Sequence, residues 1–217
     1  MAETITKDKK TGPELDGQIN DSEIVFPGYA SDDLTKESIK SRLGIYGFDD
    51  KRKLLLLNPG EGLLPLREWP LDNFIALSKM LLENENNYLI LIGSDRARIK
   101  AELIMGVNKT KQCVNLAGKT ELKELMALFN IADALISNDC GLVHLAMFTA
   151  IKKFIIFGPE SPKIFGPLGG NNYIIYSEWP CSPCLSILNH RNSECKNALC
   201  IKNIKVDFVY ELIKQHL

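Results

Sequence analysis

The residues best suited to chemistry in this sequence lie in a short segment ahead of a predicted helix. The run from Ser137 to Gly141 reads SNDCG, and His144 follows in the first turn of that helix. Free N–H groups of a first helical turn favour an anion such as a phosphate, and Gly141 lets a ligand or a neighbouring chain come close. Asp139 would repel a phosphate, so it suits helix capping or hydrogen bonds from sugar or ribose hydroxyls. The segment predicts a diphosphate site. In the alternative interpretation these residues have only a structural role, in which Asp139 caps the helix and His144 packs beneath it.

Three further residues are candidates for holding a nucleotide. Gly60 lies in a loop that follows an apolar run but lacks the phosphate-binding and dinucleotide-binding glycine patterns, so ATP hydrolysis and NAD chemistry lose support. Arg67 is the cation best placed to meet a phosphate near that loop, and a solvated surface arginine is the alternative. Asp95 follows Gly93-Ser94, where it would accept hydrogen bonds from a ribose or cap a helix.

Four of the six cysteines fall in one segment with little periodicity. A C-x-x-C pair can chelate zinc, and a second pair can complete a tetrahedron, although a spacing of four intervening residues is less usual. Structural zinc is one interpretation, and a loop of reduced thiols or a facultative disulfide is the other. The four residues are Cys181, Cys184, Cys195 and Cys200.

Alternating apolar runs and helical patterns must position these residues. Predicted strands cover residues 54–57, 88–92, 113–116, 134–136, 154–157 and 173–176. Predicted helices cover residues 32–44, 70–82, 95–105, 120–129, 141–150 and 206–215, with Gly44 and Thr120 as expected caps. This order predicts an α/β fold, a Rossmann-like parallel sheet with helices on both faces. Ligands bind such a sheet at the carboxyl ends of its strands, here the loops 58–69, 93–96, 137–144 and 158–167.

Composition excludes several classes of protein. The chain has 217 residues, of which 45% are hydrophobic, and its 26 basic and 27 acidic residues leave a net charge of −1. We therefore expect no nucleic-acid partner, and no apolar run approaches the ~20 residues of a membrane span. The polar opening of the sequence indicates no secretory signal, which favours the cytoplasm. We expect a disordered tail over 1–22, a lead-in or linker helix within 23–50, and one domain over 51–217 that includes a cysteine loop at 180–200.

Five blocks, taken in order, resemble a known family. They are residues 58–60, 66–74, 90–95, 137–146 and 157–162. The blocks are similar to the C-terminal half of glycosyltransferase family nine, the ADP-heptose:lipopolysaccharide heptosyltransferases, and the resemblance covers about residues 45–217. Cysteines arranged as in the loop above also recur in many members. The resemblance implies the C-terminal domain of a GT-B glycosyltransferase, which binds the nucleotide-sugar donor.

The resemblance also assigns roles to individual residues. Asp139-Cys140-Gly141 and His144 match the family's donor-diphosphate and sugar-binding motif D-[ST]-G-x-x-H. Arg67 falls where the family usually carries a phosphate-binding lysine, and Asp95 where an acidic residue meets the ribose. Cys140 departs from the usual Ser or Thr and removes a hydroxyl, whereas Arg67 keeps the charge of lysine but changes its geometry.

The function that this resemblance implies is that of a donor-binding half. Such a half would serve an inverting enzyme that moves a heptose, or a similar sugar, from an ADP-heptose-like donor to a lipopolysaccharide-type glycan or glycolipid, without a required cofactor. The family's acceptor domain and general base have no counterpart in residues 1–50. We therefore expect a fragment, one half of a split enzyme whose other half is a separate acceptor-domain chain, or a stand-alone remnant that binds the donor without turning it over. The expected location is the cytoplasm, at the inner face of the membrane. The alternatives are a non-catalytic nucleotide-sugar-binding or protein-interaction module, and another nucleotide-sugar enzyme such as an epimerase.

Overall fold

The computed structural model describes residues 4–6, 27–60, 64–186, 188–189 and 192–217, and in them strands and helices alternate as predicted. The strands are β1 (Thr4–Thr6), β2 (Lys53–Asn58), β3 (Asn87–Leu91), β4 (Cys113–Asn115), β5 (Ala134–Asn138), β6 (Lys152–Phe157) and β7 (Asn172–Tyr176). The helices are α1 (Asp33–Ile45), α2 (Leu71–Leu82), α3 (Arg98–Asn108), α4 (Leu122–Ile131), α5 (Gly141–Leu145), α6 (Pro162–Phe165), α7 (Leu199–Lys202) and α8 (Val206–His216).

The described strands form one sheet in the order β1-β7-β6-β5-β2-β3-β4. Strands β2 to β7 are parallel to one another. Strands β2, β3 and β4 extend the sheet to one side, and β5, β6 and β7 extend it to the other, which is the Rossmann order with its switch point between β2 and β5. The register places Leu57 beside Ile136 and Asn58 beside Ser137. The prediction of a Rossmann-like α/β fold is confirmed, and the switch point lies between the carboxyl ends of β2 and β5.

The short strand β1 lies within the segment for which we expected a disordered tail. Thr4–Thr6 pairs antiparallel with β7, so that Thr4 lies opposite Tyr176. This pairing is a departure from that expectation at three residues, and the rest of the tail lies outside the described residues.

Two hydrophobic layers cover the sheet and explain its apolar strands. Leu55 and Leu57 face the layer that contains α2, α3 and α8, whereas Leu54 and Leu56 face the layer that contains α1 and α4. Strands that are covered on both faces read as continuous apolar runs, and these four leucines are at most 1% exposed. The sheet is therefore a rigid platform, and its carboxyl edge carries the loops.

Helix termini differ from the predicted ones because neighbouring residues supply the caps. Helix α1 continues past Gly44, and the N–H of Gly47, which has a φ of +92°, donates to the Gly44 carbonyl. Helix α4 begins one residue later than expected, because Glu121 rather than Thr120 is its N-cap, in a capping box with Glu124.

Two predicted helices are each divided into a 3₁₀ turn and an α-helix. The segment 141–150 consists of α5 followed by a 3₁₀ turn over Ala146–Phe148. The segment 95–105 begins with a 3₁₀ turn over Asp95–Ala97, which α3 continues. In the described part of the chain, no helix combines the length and the apolar character that crossing a bilayer requires.

Lys153 is a buried cation at the start of β6. Its side chain is 1% exposed, and its Nζ donates to the Ile151 carbonyl at 3.0 Å. Burial lowers the pKa of Lys153 to about 8 from its usual 10.5. Below pH 8 the folded protein holds a poorly solvated ammonium group, and between pH 8 and 10.5 the unfolded chain binds more protons than the folded one. The contribution of Lys153 to stability therefore rises with pH over that window.

Replacing Lys153 with methionine removes this unfavourable charge. We expect Lys153→Met to raise the free energy of unfolding by about 2–3 kcal/mol at pH 7, with the gain shrinking between pH 8 and 10.5. Urea unfolding of both proteins across pH 7–10.5 measures this difference. Lys152→Met is the matched control. The Lys152 ammonium is only half-buried and donates to the His216 carbonyl at 2.7 Å, so its removal should not bring this gain. A gain that is absent, or constant with pH, would contradict the role assigned to the Lys153 ammonium.

Candidate functional site

A cleft of about 630 Å³ opens at the switch point of the sheet. Its walls include Gly60 and Leu64 after β2, Arg67 and Glu68 in the following turn, and residues 138–142 at the end of β5. An adjoining lobe of about 210 Å³ shares Arg67 and Asp139 with the cleft and adds His144, Glu160 and Phe165. Most of the residues predicted to bind a donor thus meet at one edge of the sheet, where ligands bind in this class of fold.

The turn after β5 is held by a buried polar network. The Asn58 amide donates to the Ser137 hydroxyl at 3.2 Å and to the Cys140 sulfur at 3.3 Å. Burial raises the pKa of the Cys140 thiol above its ordinary value. Cys140 therefore contributes to the cleft wall, while its sulfur is directed towards Asn58 and Ser137 and stabilises the turn.

Arg67 is bound by two carboxylates from the segments that follow two neighbouring strands. Its Nη2 lies 2.5 Å from Asp139 Oδ2 and 3.2 Å from Glu160 Oε2, and it also donates to the Asp139 carbonyl at 3.1 Å. The side chains of Arg67, Asp139 and Glu160 are 17%, 4% and 1% exposed. A solvated surface arginine is therefore excluded. All of these contacts use Nη2, whereas the Nε of Arg67 has no hydrogen-bond partner among the described residues.

The position of Arg67 is set by its neighbour Trp69. The indole is 1% exposed, its Nε1 donates to the Ile204 carbonyl at 3.0 Å, and its backbone N–H donates to Asn138 Oδ1 at 3.0 Å. The ring also packs edge-on against Phe74, with 5.1 Å between ring centroids. This anchor fixes the short 3₁₀ turn Pro65–Arg67 against the end of β5.

Two backbone N–H groups of the 139–144 turn already have partners within the protein. Helix α5 has only five residues, and Cys140 rather than Asp139 is its N-cap. The Asp139 N–H donates to the Ile156 carbonyl at 3.1 Å, and the Val143 N–H donates to the Cys140 carbonyl at 3.3 Å. Capping by Asp139 is therefore wrong, and Arg67 is the main source of positive charge in this part of the cleft.

Two glycines line the cleft wall, and the packing of the protein requires glycine at only one of the two positions. Gly60 has a φ of +88°, and a Cβ there would lie 2.6 Å from Glu68 Oε1 and 2.9 Å from Asn138 Nδ2. The protein's own packing therefore demands glycine at position 60. A Cβ at Gly141 would meet no atom within 4 Å, so that the space in front of Gly141 is open to a ligand.

A second ion pair borders the cleft beside Gly60. The Lys100 ammonium lies 2.6 Å from Glu68 Oε2, and both side chains are largely buried. Sequence reasoning missed Glu68, Lys100 and Glu160. For Glu160 a signal existed, because the loop 158–167 was expected at the ligand edge; the approach of Lys100 to Glu68 is a tertiary contact that no local pattern shows.

Asp95 and His144 lie at the same edge, but only His144 lines the site. The Asp95 side chain is 73% exposed, pairs with Arg98 at 3.1 Å and is outside the lining of the cleft. Ser94 rather than Asp95 caps the 3₁₀ turn, because its hydroxyl accepts the Arg96 N–H. The predicted contact of Asp95 with a ribose stays a prediction.

The four cysteines of the loop are free thiols with different surroundings. Cys181 is exposed, Cys184 and Cys195 are half-buried, and Cys200 is buried. Backbone N–H groups, first that of Ala198, lower the pKa of Cys195, whereas burial raises that of Cys200 to about 11. Over the described residues, no three His, Cys, Asp or Glu side chains form a group that could hold a metal ion. The structure thus gives the zinc interpretation no support, and that site stays a prediction.

The strand order and the cleft define a Rossmann-like α/β domain of the kind found in GT-B glycosyltransferases. A family model described as "Glycosyltransferase family 9 (heptosyltransferase)" matches residues 25–194. The chain therefore belongs to glycosyltransferase family 9.

Curated relatives and solved structures agree with this assignment. Lipopolysaccharide heptosyltransferase 2 of Salmonella typhimurium is 30% identical over 133 residues, which cover 60% of this chain and 38% of the relative. Lipooligosaccharide heptosyltransferase 2 of Campylobacter jejuni (serotype O:6) is 28% identical over 168 residues, which cover 76% and 51%. The structure of E. coli ADP-heptose lps heptosyltransferase II superimposes with a TM-score of 0.70 at 22% identity and covers 88% of this chain and 53% of that one. The chain thus spans about half or less of the length of these proteins.

Removing Arg67 would leave the buried Asp139 without its ion-pair partner. We expect Arg67→Met to lower the free energy of unfolding by about 2–4 kcal/mol, because an uncompensated buried charge is costly. Urea unfolding at pH 7 measures the loss. Arg42→Met is the control, since Arg42 pairs with Glu124 at the same 3.2 Å as Arg67 with Glu160 but is 31% exposed, and about 1 kcal/mol or less is expected there. Equal losses in the two variants would contradict the buried character of the Arg67 site.

Proposed function

We propose that this chain is the donor-binding, C-terminal half of an inverting glycosyltransferase. It would move a heptose, or a similar sugar, from a nucleotide-sugar to a lipopolysaccharide-type acceptor. Membership of glycosyltransferase family 9 supports this proposal, as do the heptosyltransferase names of the curated relatives. One observation carries it further: Arg67 lies in a cleft at the switch point, next to the open space before Gly141.

The donor's diphosphate is assigned to the part of the cleft between Arg67 and Gly141. Arg67 is the cation that lines this part of the cleft, and charge-assisted hydrogen bonds from a guanidinium to phosphoryl oxygens are strong. As the bond to the sugar breaks, negative charge builds on the leaving diphosphate, and a preorganised guanidinium stabilises that charge. Asp139 and His144 are assigned to the sugar, because both line the smaller lobe. No step of this reaction is routed through a metal ion or another cofactor.

The acceptor is assigned to a partner domain. Inversion at the anomeric carbon needs a base within hydrogen-bond reach of the acceptor hydroxyl. The two carboxylates in the smaller lobe, Asp139 and Glu160, both pair with Arg67, so we assign neither of them the role of base. The base would come from that partner domain, and the complete enzyme would act in the cytoplasm at the inner face of the membrane.

A non-catalytic module is the second candidate. The apolar side chains of Leu64, Leu142 and Leu145 line the cleft, which would suit a protein partner as well as a nucleotide. Binding of a sugar nucleotide without transfer, in the presence of an acceptor-binding domain, would favour this alternative.

The first test is whether the chain binds a nucleotide, and a substitution at Gly141 tests whether the nucleotide binds in the cleft. We expect ADP and ADP-heptose to bind the native chain in isothermal titration calorimetry. Gly141→Gln should weaken binding at least about tenfold, because its side chain would fill the space assigned to the diphosphate, while leaving the fold intact. The matched control is Gly106→Gln on α3, where a Cβ also meets no atom within 4 Å and which is outside the cleft lining.

The proposed function fails if the native chain binds neither ligand. The assignment of the diphosphate to Gly141 fails if the Gly141 and Gly106 variants bind equally well.

A further inference from the structure

The loop after β6 joins the cysteine loop to the cleft through Glu160. This carboxylate is 1% exposed, and its Oε2 lies 3.2 Å from Arg67 Nη2. We propose that Glu160 is a positioning residue that fixes Arg67 for the donor's diphosphate, and that the cysteine loop braces Glu160. The inference rests on the proposed function and deepens it, because it assigns a role at that site to Glu160 and to the cysteine loop.

Arg67 needs such a constraint because its side chain is long. An arginine loses rotamer entropy when it is fixed, and a guanidinium that is not held can adopt several positions. Asp139, at the end of β5, contacts one side of Nη2, and Glu160, after the neighbouring strand β6, contacts the same nitrogen. Two carboxylates, one directly after β5 and one in the loop after β6, thus contact the guanidinium at the same nitrogen. An ion pair of this kind, in which a glutamate orients a phosphate-binding cation, is required in protein kinases.

The cysteine loop in turn holds the backbone that carries Glu160. The Pro159 carbonyl accepts hydrogen bonds from the N–H groups of Cys184 and Leu185, both at 2.9 Å. The Ser182 hydroxyl donates to the Gly158 carbonyl at 2.8 Å and accepts from the Tyr176 hydroxyl at 2.9 Å. Leu185 also forms a parallel bridge with Glu160.

Helix α7 closes the other side of this segment. A Cβ at Gly158 would lie 2.9 Å from Cβ of Ile201, so the backbone of the loop rests directly on α7. Residues 158–160 are therefore held by contacts with Ser182, Cys184 and Leu185, and Gly158 also lies against α7. Their only charged side chain, that of Glu160, contacts the arginine of the cleft.

The central test replaces Glu160 with glutamine, which keeps the shape of the side chain and removes its charge. We expect Glu160→Gln to weaken ADP binding about tenfold and to change adenosine binding by less than about twofold, because only ADP reaches Arg67 with its phosphates. Isothermal titration calorimetry measures both affinities, and thermal melting checks the fold. Glu124→Gln is the matched control, since Glu124 pairs with Arg42 at the same 3.2 Å, remote from the cleft, and should leave both affinities unchanged.

A double-mutant cycle distinguishes positioning from a merely structural role. If Glu160 acts through Arg67, the change Glu160→Gln should have little effect on ADP affinity once Arg67→Gln is present. Ser182→Ala removes the hydroxyl that bonds to Gly158 and should weaken ADP binding in the same direction by a smaller factor. That effect should also vanish when combined with Glu160→Gln. Glu160→Asp retains the charge with a shorter reach and should restore part of the affinity.

Each outcome decides the inference. ADP affinity that is unchanged or tighter in Glu160→Gln overturns the positioning role while leaving the proposed function intact, because the native chain still binds. An effect that persists in the Arg67→Gln background shows a structural role and also overturns it. If Glu160→Gln does not fold, an unchanged affinity in both Ser182→Ala and Glu160→Asp overturns it instead. A native chain that binds no ADP overturns the proposed function, and this inference with it.

Discussion

The contact of Arg67 with Asp139 and Glu160 is the interaction on which the candidate site depends. A cation that is mostly buried must be compensated, and here the compensation comes from two carboxylates at the ends of adjacent parallel strands. Trp69, two residues further along the chain, is fixed by its hydrogen bonds to Asn138 and to the Ile204 carbonyl and so anchors the turn that carries the arginine. The result is a guanidinium held in the wall of the cleft that we assign to the donor.

The sheet explains why these residues meet at all. Parallel strands bring their carboxyl ends to one edge, and the reversal of strand order between β2 and β5 leaves a crevice there. Asn58 ends β2, the Ser137 to Cys140 turn ends β5, and the Asn58 amide connects the two through Ser137 and Cys140. Because apolar layers cover both faces of the sheet, this edge is rigid enough to hold a site of defined geometry.

The parts of the structure that followed from the sequence are those set by local pattern. The apolar run at Leu54 to Leu57 predicted β2 because both of its faces are buried, and the residues around Asp139 were placed at the ligand edge by the alternation of strands and helices. Helix termini were harder: Glu121 replaced Thr120 as a cap because a reciprocal bond with Glu124 was available. The partners of Arg67 were missed, since Glu160 lies 93 positions away in the sequence and only the sheet brings the two together. The zinc interpretation came from spacing alone, and spacing does not determine whether four sulfurs converge on a single point.

A crystal structure of the chain with ADP-heptose or ADP bound would test the central claim most directly. We expect the diphosphate to lie in the switch-point cleft, within hydrogen-bond distance of the Arg67 guanidinium and in front of Gly141. A diphosphate bound at another edge of the sheet, or in the cleft but out of reach of Arg67, would contradict it.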